Sequence, residues 1–309
     1  MGSRPVKGAA ESAMSDAAAG HAPIAFSWNQ LSWSAVALLG GLVALLYWDV
    51  VPGMAYIWWT DEAYSHGLLI PPLAAYVAWL NRERILAAPA SADSRGLILA
   101  AAGCAVHILG RLGAEFFLTR VSLVIILAGI ILTYWGASRL RQMTFSLVLL
   151  ATMVPIPAIV YNKLAAPLQL FASWVASNTI EMMGVPIFRD GNVMHLSGIS
   201  LGVAEACSGL RSISSLSVLA LVLGYFICSK LPMRFLLFFL AFPVAIGVNV
   251  LRIVVTALFA REDPALAEGF FHSFSGWVVF LVGFGFMYLL ATALARFEGP
   301  KNVEAGESQ

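Results

Sequence analysis

Long apolar stretches separated by short polar loops run through most of the chain. Many of them approach or exceed the roughly 20 residues that a helix needs to cross the hydrocarbon core of a bilayer. The pattern predicts eight spans, at about 31–51, 66–80, 97–113, 120–136, 143–160, 207–228, 233–259 and 274–296. We therefore expect an all-α polytopic membrane protein with about eight transmembrane helices.

A further helical segment, 163–184, differs from these spans because polar residues interrupt it. Apolar residues such as Leu164, Leu168 and Phe171 recur on one face. The polar residues are Lys163, Gln169, Asn178 and Glu181. An amphipathic helix of this kind is typical of the membrane interface, so we expect it to lie in that plane without crossing.

Between this helix and the sixth predicted span, short apolar runs alternate around a polar turn. The segment extends from Pro186 to Val203, and the turn has the sequence Arg189-Asp190-Gly191-Asn192. Short alternating runs flanking such a turn predict a β-hairpin. We expect a small extracytoplasmic hairpin, and a domain organisation of a disordered tail (1–26), one transmembrane domain (27–297) and a second disordered tail (298–309).

Composition supports a membrane protein and argues against nucleic-acid binding. Hydrophobic residues make up 60% of the chain, charged residues 11%, and the mean hydropathy is +0.84. Soluble domains carry roughly 45 to 50% apolar residues. A net charge of +1 provides no broad basic field for nucleic acid.

The basic residues predict which side of the membrane each loop faces. With eight spans, most Lys and Arg residues fall on one side, and these are Arg4, Lys7, Arg82, Arg84, Arg95, Arg139, Arg141, Lys230, Arg234, Arg296 and Lys301. The positive-inside rule makes this side cytoplasmic, together with both termini. The opposite side receives Arg111, Arg120, Lys163, Arg189 and Arg261.

Three cysteines are too few for a disulfide scaffold. Cys104, Cys207 and Cys228 have no metal-ligand spacing, and the chain has no His-Glu-x-x-His motif. We expect no metal and no cofactor, and Cys207 is expected to be a free thiol.

Cys207 and Arg211 lie one helical turn apart at the mouth of an apolar span, where a charge is costly and usually serves a site. The predicted topology brings Arg252 and His272 to the same outer face. The helix dipole and Arg211 favour the thiolate of Cys207. His272 is suited to take the thiol proton, and Arg252 or backbone amides to stabilise an oxyanion.

Other residues are expected to support this site. Gly209 and Gly276 leave space beside the thiol and the imidazole, and Asn249, one turn before Arg252, is placed to orient it. A role for His66 in binding polar parts of a substrate, or in holding the outer face, is as well supported as one in chemistry.

At these positions the chain resembles the exosortases, bacterial relatives of the archaeosortases. The most specific similarity is Ala206-Cys207-Ser208-Gly209-Leu210-Arg211-Ser212. The segments from Asn249 to Ile253 and from Phe271-His272 to Gly276-Trp277 also match the family's motifs. Further similarity occurs at Tyr64-Ser65-His66-Gly67, Pro155-Ile156-Pro157 and Gly184-Val185-Pro186.

The resemblance implies a thiol protease or transpeptidase of the bacterial inner membrane, with its site at the periplasmic face. Cys207 would be the nucleophile, and Arg252 and His272 would complete the catalytic set. Its partners would be exported proteins with a C-terminal sorting signal, made of a Pro-Glu-Pro-type motif, a transmembrane helix and a basic tail. Such systems often accompany exopolysaccharide production, and a lipid or glycan is a candidate acceptor.

Two alternatives remain from the residues themselves. In a transporter or a scaffold of a polysaccharide export complex, Glu205, Arg211 and Arg252 would line a substrate path, and Cys207→Ser would be tolerated. In a membrane acyltransferase, a Cys acyl intermediate would pass on a lipid chain instead of a peptide.

Overall fold

Helices carry nearly all of the apolar sequence in the computed structural model, which describes residues 33–196, 199–202, 210–263 and 269–298. The predicted tail 1–26 and, apart from Glu298, the predicted tail 298–309 lie outside these residues. The helices are α1 (Trp33–Leu46), α2 (Val50–Thr60), α3 (Ile70–Leu80), α4 (Arg82–Ala87), α5 (Arg95–Leu112), α6 (Phe116–Ala151), α7 (Ala158–Met182), α8 (Leu210–Ile227), α9 (Leu231–Glu262) and α10 (Gly269–Phe297).

Five of these helices are long and apolar enough to cross a membrane. They are α5, α6, α8, α9 and the part of α10 from Gly276 to Phe297. The number rises to six if α1 and α2, which meet at a bend of 64°, form one broken span. The described residues therefore form a polytopic, predominantly helical membrane protein, and this count by length and composition does not confirm the predicted eight spans.

The first two predicted spans differ from the observed helices. Predicted span 31–51 breaks between Leu46 and Val50. Predicted span 66–80 contains only the 11 residues of α3, preceded by a 3₁₀ turn at Ser65–Leu68. At about 1.5 Å per residue, α3 covers roughly 16 Å, about half of a hydrocarbon core. In both predicted spans, the apolar sequence extends over residues that do not form one straight helix.

Helix α6 joins the fourth and fifth predicted spans, but its backbone leaves the helical conformation at Gly136, where φ is 79°. A Cβ atom at this position would overlap the carbonyl oxygen of Ser91, so only glycine fits. Leu123 and Leu149 are each 13 residues from Gly136 and belong to one buried cluster. This shared cluster indicates that the two halves of α6 fold back on each other. The second half ends at Ala151, earlier than the predicted residue 160.

Helix α7 contains the predicted interfacial segment and is not among the helices apolar enough to span. Its buried face consists of small and branched residues, Ala172, Ala176 and Ile180. These residues pack in one cluster with Met194 of the sheet and Ile253 of α9. The cluster fixes the sheet and the second half of α9 to α7.

The predicted hairpin is the first part of a larger structure. Strands β1 (Ile187–Asp190) and β2 (Val193–Leu196) pair antiparallel across the predicted turn, with Asp190 opposite Val193. Gly191 adopts a φ of 60° in this turn, which glycine tolerates best. A third strand, β3 (Ile199–Gly202), pairs with β2, so the prediction of a two-stranded hairpin was wrong by one strand.

Contacts between distant loops define two ends of the helical bundle. At the first, which we call the basic end (residues 81–95, 136–141 and 225–234), Arg139 Nε donates to Ala88 O at 3.1 Å and Asn81 Nδ2 donates to Tyr225 OH at 2.5 Å. At the second, the site end (residues 58–66, 110–120, 152–156 and 210–214), Trp58 Nε1 donates to Met153 O at 2.9 Å.

Candidate active site

The guanidinium of Arg252 is buried between α9 and α10. The residue is 7% exposed. A Cβ atom added at Gly276 would lie 3.5 Å from both Cζ and Nη2 of Arg252. The absence of a side chain at Gly276 thus lets the guanidinium pack directly against the backbone of α10.

His272 lies four residues before Gly276 in the same helix, α10. One helical turn rises about 5.4 Å, so the backbone of His272 is one turn from the level of Arg252. The side chain of His272 lies outside the described part of the chain. The predicted proximity of Arg252 and the His272 position is therefore supported at the level of the backbone.

Close packing at Gly283 aligns the helices that carry the predicted site. A Cβ atom added at Gly283 of α10 would lie 3.3 Å from Leu216 Cδ1 of α8 and 3.6 Å from Val248 Cγ1 of α9. Arg211 is five residues before Leu216, and Arg252 is four residues after Val248. Helices α8 and α9 run in opposite directions. Arg211 and Arg252 therefore both lie roughly 6 to 8 Å along the helix axes from the level of Gly283, and on the same side of it. Arg211 and Arg252 therefore lie at about one depth, while the predicted convergence of Cys207, Arg252 and His272 stays a prediction.

Asn249 is 2% exposed and lies one turn before Arg252 on α9. A buried amide needs hydrogen-bond partners. Its predicted role in orienting Arg252 stays a prediction.

Arg211 has a partner that the sequence pattern did not reveal. Its Nη1 donates to Oε2 of Glu62, in the loop between α2 and the 3₁₀ turn. Nearby, Ser214 Oγ lies 3.4 Å from the carbonyl oxygen of Ala63. The Glu62 loop is thereby attached to the first turn of α8, which follows Cys207 by three residues.

Glu62 was missed because nothing in its local sequence distinguishes it from any acidic residue in an interfacial loop. The two partners are 149 residues apart, so only the packing of the loop against α8 brings them together. The one available hint was that a charge at Arg211, inside an apolar run, requires a counter-charge.

His66 lies in the 3₁₀ turn at the site end, beside the segment that follows α6. Burial lowers the pKa of His66 below its ordinary value, while a backbone hydrogen bond with Thr152 acts in the opposite direction. Its Nδ1 atom is buried and has no hydrogen-bond partner among the described residues. The structure places His66 in the wall of the site end, where a neutral imidazole is favoured.

Tyr64, in the same sequence motif, also faces the segment after α6. Its hydroxyl donates to Ile156 O at 3.4 Å, and burial raises the pKa of Tyr64 to about 12. A phenol with this pKa stays protonated at neutral pH and keeps its role as donor. The motif therefore joins the 3₁₀ turn to the Pro155-Ile156-Pro157 segment.

Cys207 and Gly209 lie in segment 203–209, outside the described residues, and their predicted roles stay predictions. Within the described ranges, no group of three or more His, Cys, Asp and Glu residues is arranged to hold a metal ion.

Comparison with known proteins identifies the family. The family model described as transmembrane exosortase matches residues 58–289. No curated protein and no solved structure matches the chain. The matched region begins at Trp58 and includes the Glu62 loop, His66, segment 203–209 and all of α8 and α9. Exosortases are membrane proteins with a transpeptidase or protease role, and the match confirms the family to which the sequence motifs point. The chain belongs to the transmembrane exosortase family.

Proposed function

We propose that this protein is a cysteine protease or transpeptidase that cleaves the C-terminal sorting signal of exported proteins. The observation that carries the proposal is the buried guanidinium of Arg252 against Gly276, one turn from His272, inside the region matched by the family model. A buried cation beside a helix that carries a histidine suits a reaction that develops negative charge. Cys207 supplies the nucleophile.

The reaction begins with proton transfer from the Cys207 thiol to the His272 imidazole. The thiolate then attacks the scissile carbonyl carbon, forming a carbon–sulfur bond and a tetrahedral oxyanion. When the carbon–nitrogen bond breaks, His272 returns its proton to the leaving amine. The product is a thioester between Cys207 and the new C-terminus of the exported protein.

We assign to Arg252 the stabilisation of the oxyanion. Its guanidinium is held in a buried position, so its charge is less screened than at an exposed site. Backbone N–H groups at the start of α8 are the second candidate donors for the same oxygen. Gly276 contributes space beside the guanidinium, where an added Cβ atom would already be in van der Waals contact.

The thioester is resolved either by water or by an amine. Water produces a free carboxylate, and an amine carried by a lipid or glycan acceptor produces a new amide. A transporter or export scaffold built on the same residues would require neither Cys207 nor a cleaved substrate.

We place the protein in the inner membrane, with both termini in the cytoplasm and the site end in the periplasm. The basic end, with Arg82, Arg95, Arg139 and Arg234, supports this orientation through the positive-inside rule. A membrane-impermeant thiol reagent applied to spheroplasts tests it, because Cys207 should be labelled in preference to Cys228. Preferential labelling of Cys228 would contradict the orientation.

Mass spectrometry of a processed substrate tests the reaction. We expect a single new C-terminus within the sorting signal, carrying a free carboxylate if water resolves the thioester or an added mass if an acceptor does. An unprocessed substrate in cells that contain the correctly inserted enzyme would contradict the proposal.

A further inference from the structure

A cavity of about 280 Å³ lies at the site end of the bundle, away from Arg252. It is bounded by the bend between α1 and α2, the last turns of α5 and the first turn of α6. Residues that line it include Asp49, Gly53, Gly110, Arg111, Thr119 and Arg120. No role in the proposed reaction uses these residues.

The two arginines of this cavity have different electrostatic partners. Arg111 Nη2 donates to Asp49 Oδ1 at 2.6 Å, so its charge is already balanced. Arg120 forms no salt bridge with any carboxylate among the described residues. Its guanidinium carbon lies 5.4 Å from the ring centre of Phe116.

The nearest acidic residue in sequence, Glu115, interacts electrostatically with Arg120 but forms no salt bridge with it. Its Oε2 accepts hydrogen bonds from the backbone N–H groups of Phe117 and Leu118, at 3.1 and 3.3 Å, and so caps α6. Glu115 does not line the cavity, and the charged side chains that do are two arginines and one aspartate, with a net charge of +1.

The position of the cavity indicates the source of its ligand. It lies where candidate span α5 ends and candidate span α6 begins, and the ends of membrane spans lie near the lipid headgroups. Large apolar side chains next to it are exposed, including Leu112 at 81% and Phe116 at 68%. Such a surface suits acyl chains, while the cavity itself suits a small polar group.

We propose that this cavity binds the phosphodiester headgroup of a membrane phospholipid, with Arg120 as its principal charged contact. A phosphodiester carries a single negative charge, which matches the net charge of the cavity. The planar guanidinium group binds phosphate oxygens with well-directed hydrogen bonds. Basic pockets between transmembrane helices at the cytoplasmic side bind lipid headgroups through the same pairing of charges, which we extend here to the site end.

This binding site goes beyond the proposed function and does not depend on it. Arg120 does interact electrostatically with Tyr64, so the bound lipid would sit near the site end. Lipid binding is measured without any substrate, so failure of one proposal leaves the other intact.

The test is a titration of the purified full chain, in a neutral detergent, with phosphatidylglycerol, read by native mass spectrometry. We expect Arg120→Gln to weaken binding by about tenfold or more, equivalent to the loss of one charge-assisted contact. Arg120→Lys, which keeps the charge, should remain within a few fold of the wild type. Arg261→Gln is the matched control, since Arg261 is an exposed arginine at the end of α9.

Unchanged binding in Arg120→Gln, or an equal loss in Arg261→Gln, would overturn the proposal. Asp49→Asn provides an independent check, because it raises the net charge of the cavity to +2 and should preserve or strengthen binding. Weaker binding in Asp49→Asn would contradict the charge argument. Full displacement of the lipid by an equal concentration of inorganic phosphate would assign the site to a free anion and overturn the lipid as its occupant.

Discussion

The guanidinium of Arg252 rests on Gly276, at a distance that leaves room for a methyl group. The Cβ of an alanine would lie 3.5 Å from Arg252 Cζ, which is ordinary van der Waals contact. Helix α10 thus forms one wall of the Arg252 position. This contact connects the family's arginine segment with its histidine segment through the packing of two helices.

We expect Gly276 to tolerate substitution by a small side chain but not by a large one. We expect Gly276→Ala to keep substrate processing and to change the free energy of unfolding by at most about 1 kcal/mol, in the stabilising direction. Gly276→Leu should abolish processing, because its side chain displaces the guanidinium. Processing is measured by immunoblot of a tagged substrate. Gly285→Leu is the control, since a Cβ there meets no atom within 4 Å. Normal processing in Gly276→Leu would contradict the role of this contact.

Arg252 should not be replaceable by lysine. Lysine keeps the charge but lacks the planar guanidinium with its several N–H donors. Its compact ammonium group does not reproduce the contact with α10. We predict that Arg252→Lys lowers the processing rate by at least about tenfold, which corresponds to roughly 1.4 kcal/mol in the barrier. Arg261→Lys at the exposed end of α9 should have no effect. If Arg252→Lys were fully active, charge alone would be sufficient at this position.

The ion pair between Glu62 and Arg211 should contribute little to stability. The Glu62 side chain is 74% exposed, so solvent screens the pair. We expect Glu62→Gln to lower the free energy of unfolding by less than about 1 kcal/mol, and the effect to shrink at high salt. Glu83→Gln, in the exposed Arg82–Glu83 pair, is the matched control. A loss of several kcal/mol, measured by denaturant unfolding in detergent, would mean that the pair is shielded from solvent.

His66 should make stability depend on pH. Burial lowers its pKa in the folded protein below the ordinary value of 6.5, so the unfolded chain binds the proton first as pH falls. The stability associated with neutral His66 is fully present above pH 6.5 and is lost as pH falls through the lower, folded-state pKa. Thermal unfolding between pH 7.5 and 5 should therefore show a smaller decrease for His66→Gln than for the wild type.

The control for this measurement is His195→Gln on β2, where the ring lies 2.8 Å from Ser200 Oγ. An equally reduced decrease in His195→Gln would show that the effect is not specific to His66. Identical profiles for His66→Gln and the wild type would show that His66 is accessible to protons in the folded state.

The sequence predicted helices best where apolar residues continue without interruption and a single helix crosses the membrane. Predicted span 97–113 corresponds to α5, and 233–259 lies within α9. The errors occur where apolar character continues beyond the end of a helix. Residues 152–157, which contain Pro155 and Pro157, are apolar but not helical, because proline at 155 removes a backbone donor.

The remaining differences depend on contacts between distant parts of the chain. The break at Gly136 is required by the approach of Ser91, and a single glycine in a helical pattern does not reveal such a neighbour. The partnership of Glu62 with Arg211 likewise appears only after α8 has packed against the loop. Arg252 and His272 were accessible from sequence because charged or titratable residues are rare in apolar segments.

Replacement of the Cys207 thiol tests the proposed acyl-enzyme directly, with a tagged, exported substrate as the readout. In cells that contain the enzyme at equal levels in the membrane, Cys207→Ala should leave the substrate entirely at its unprocessed length. Cys104→Ala, which removes an exposed cysteine on α5, should process it at the wild-type rate. Wild-type processing by Cys207→Ala would contradict the account, because no acyl-enzyme at residue 207 could then form.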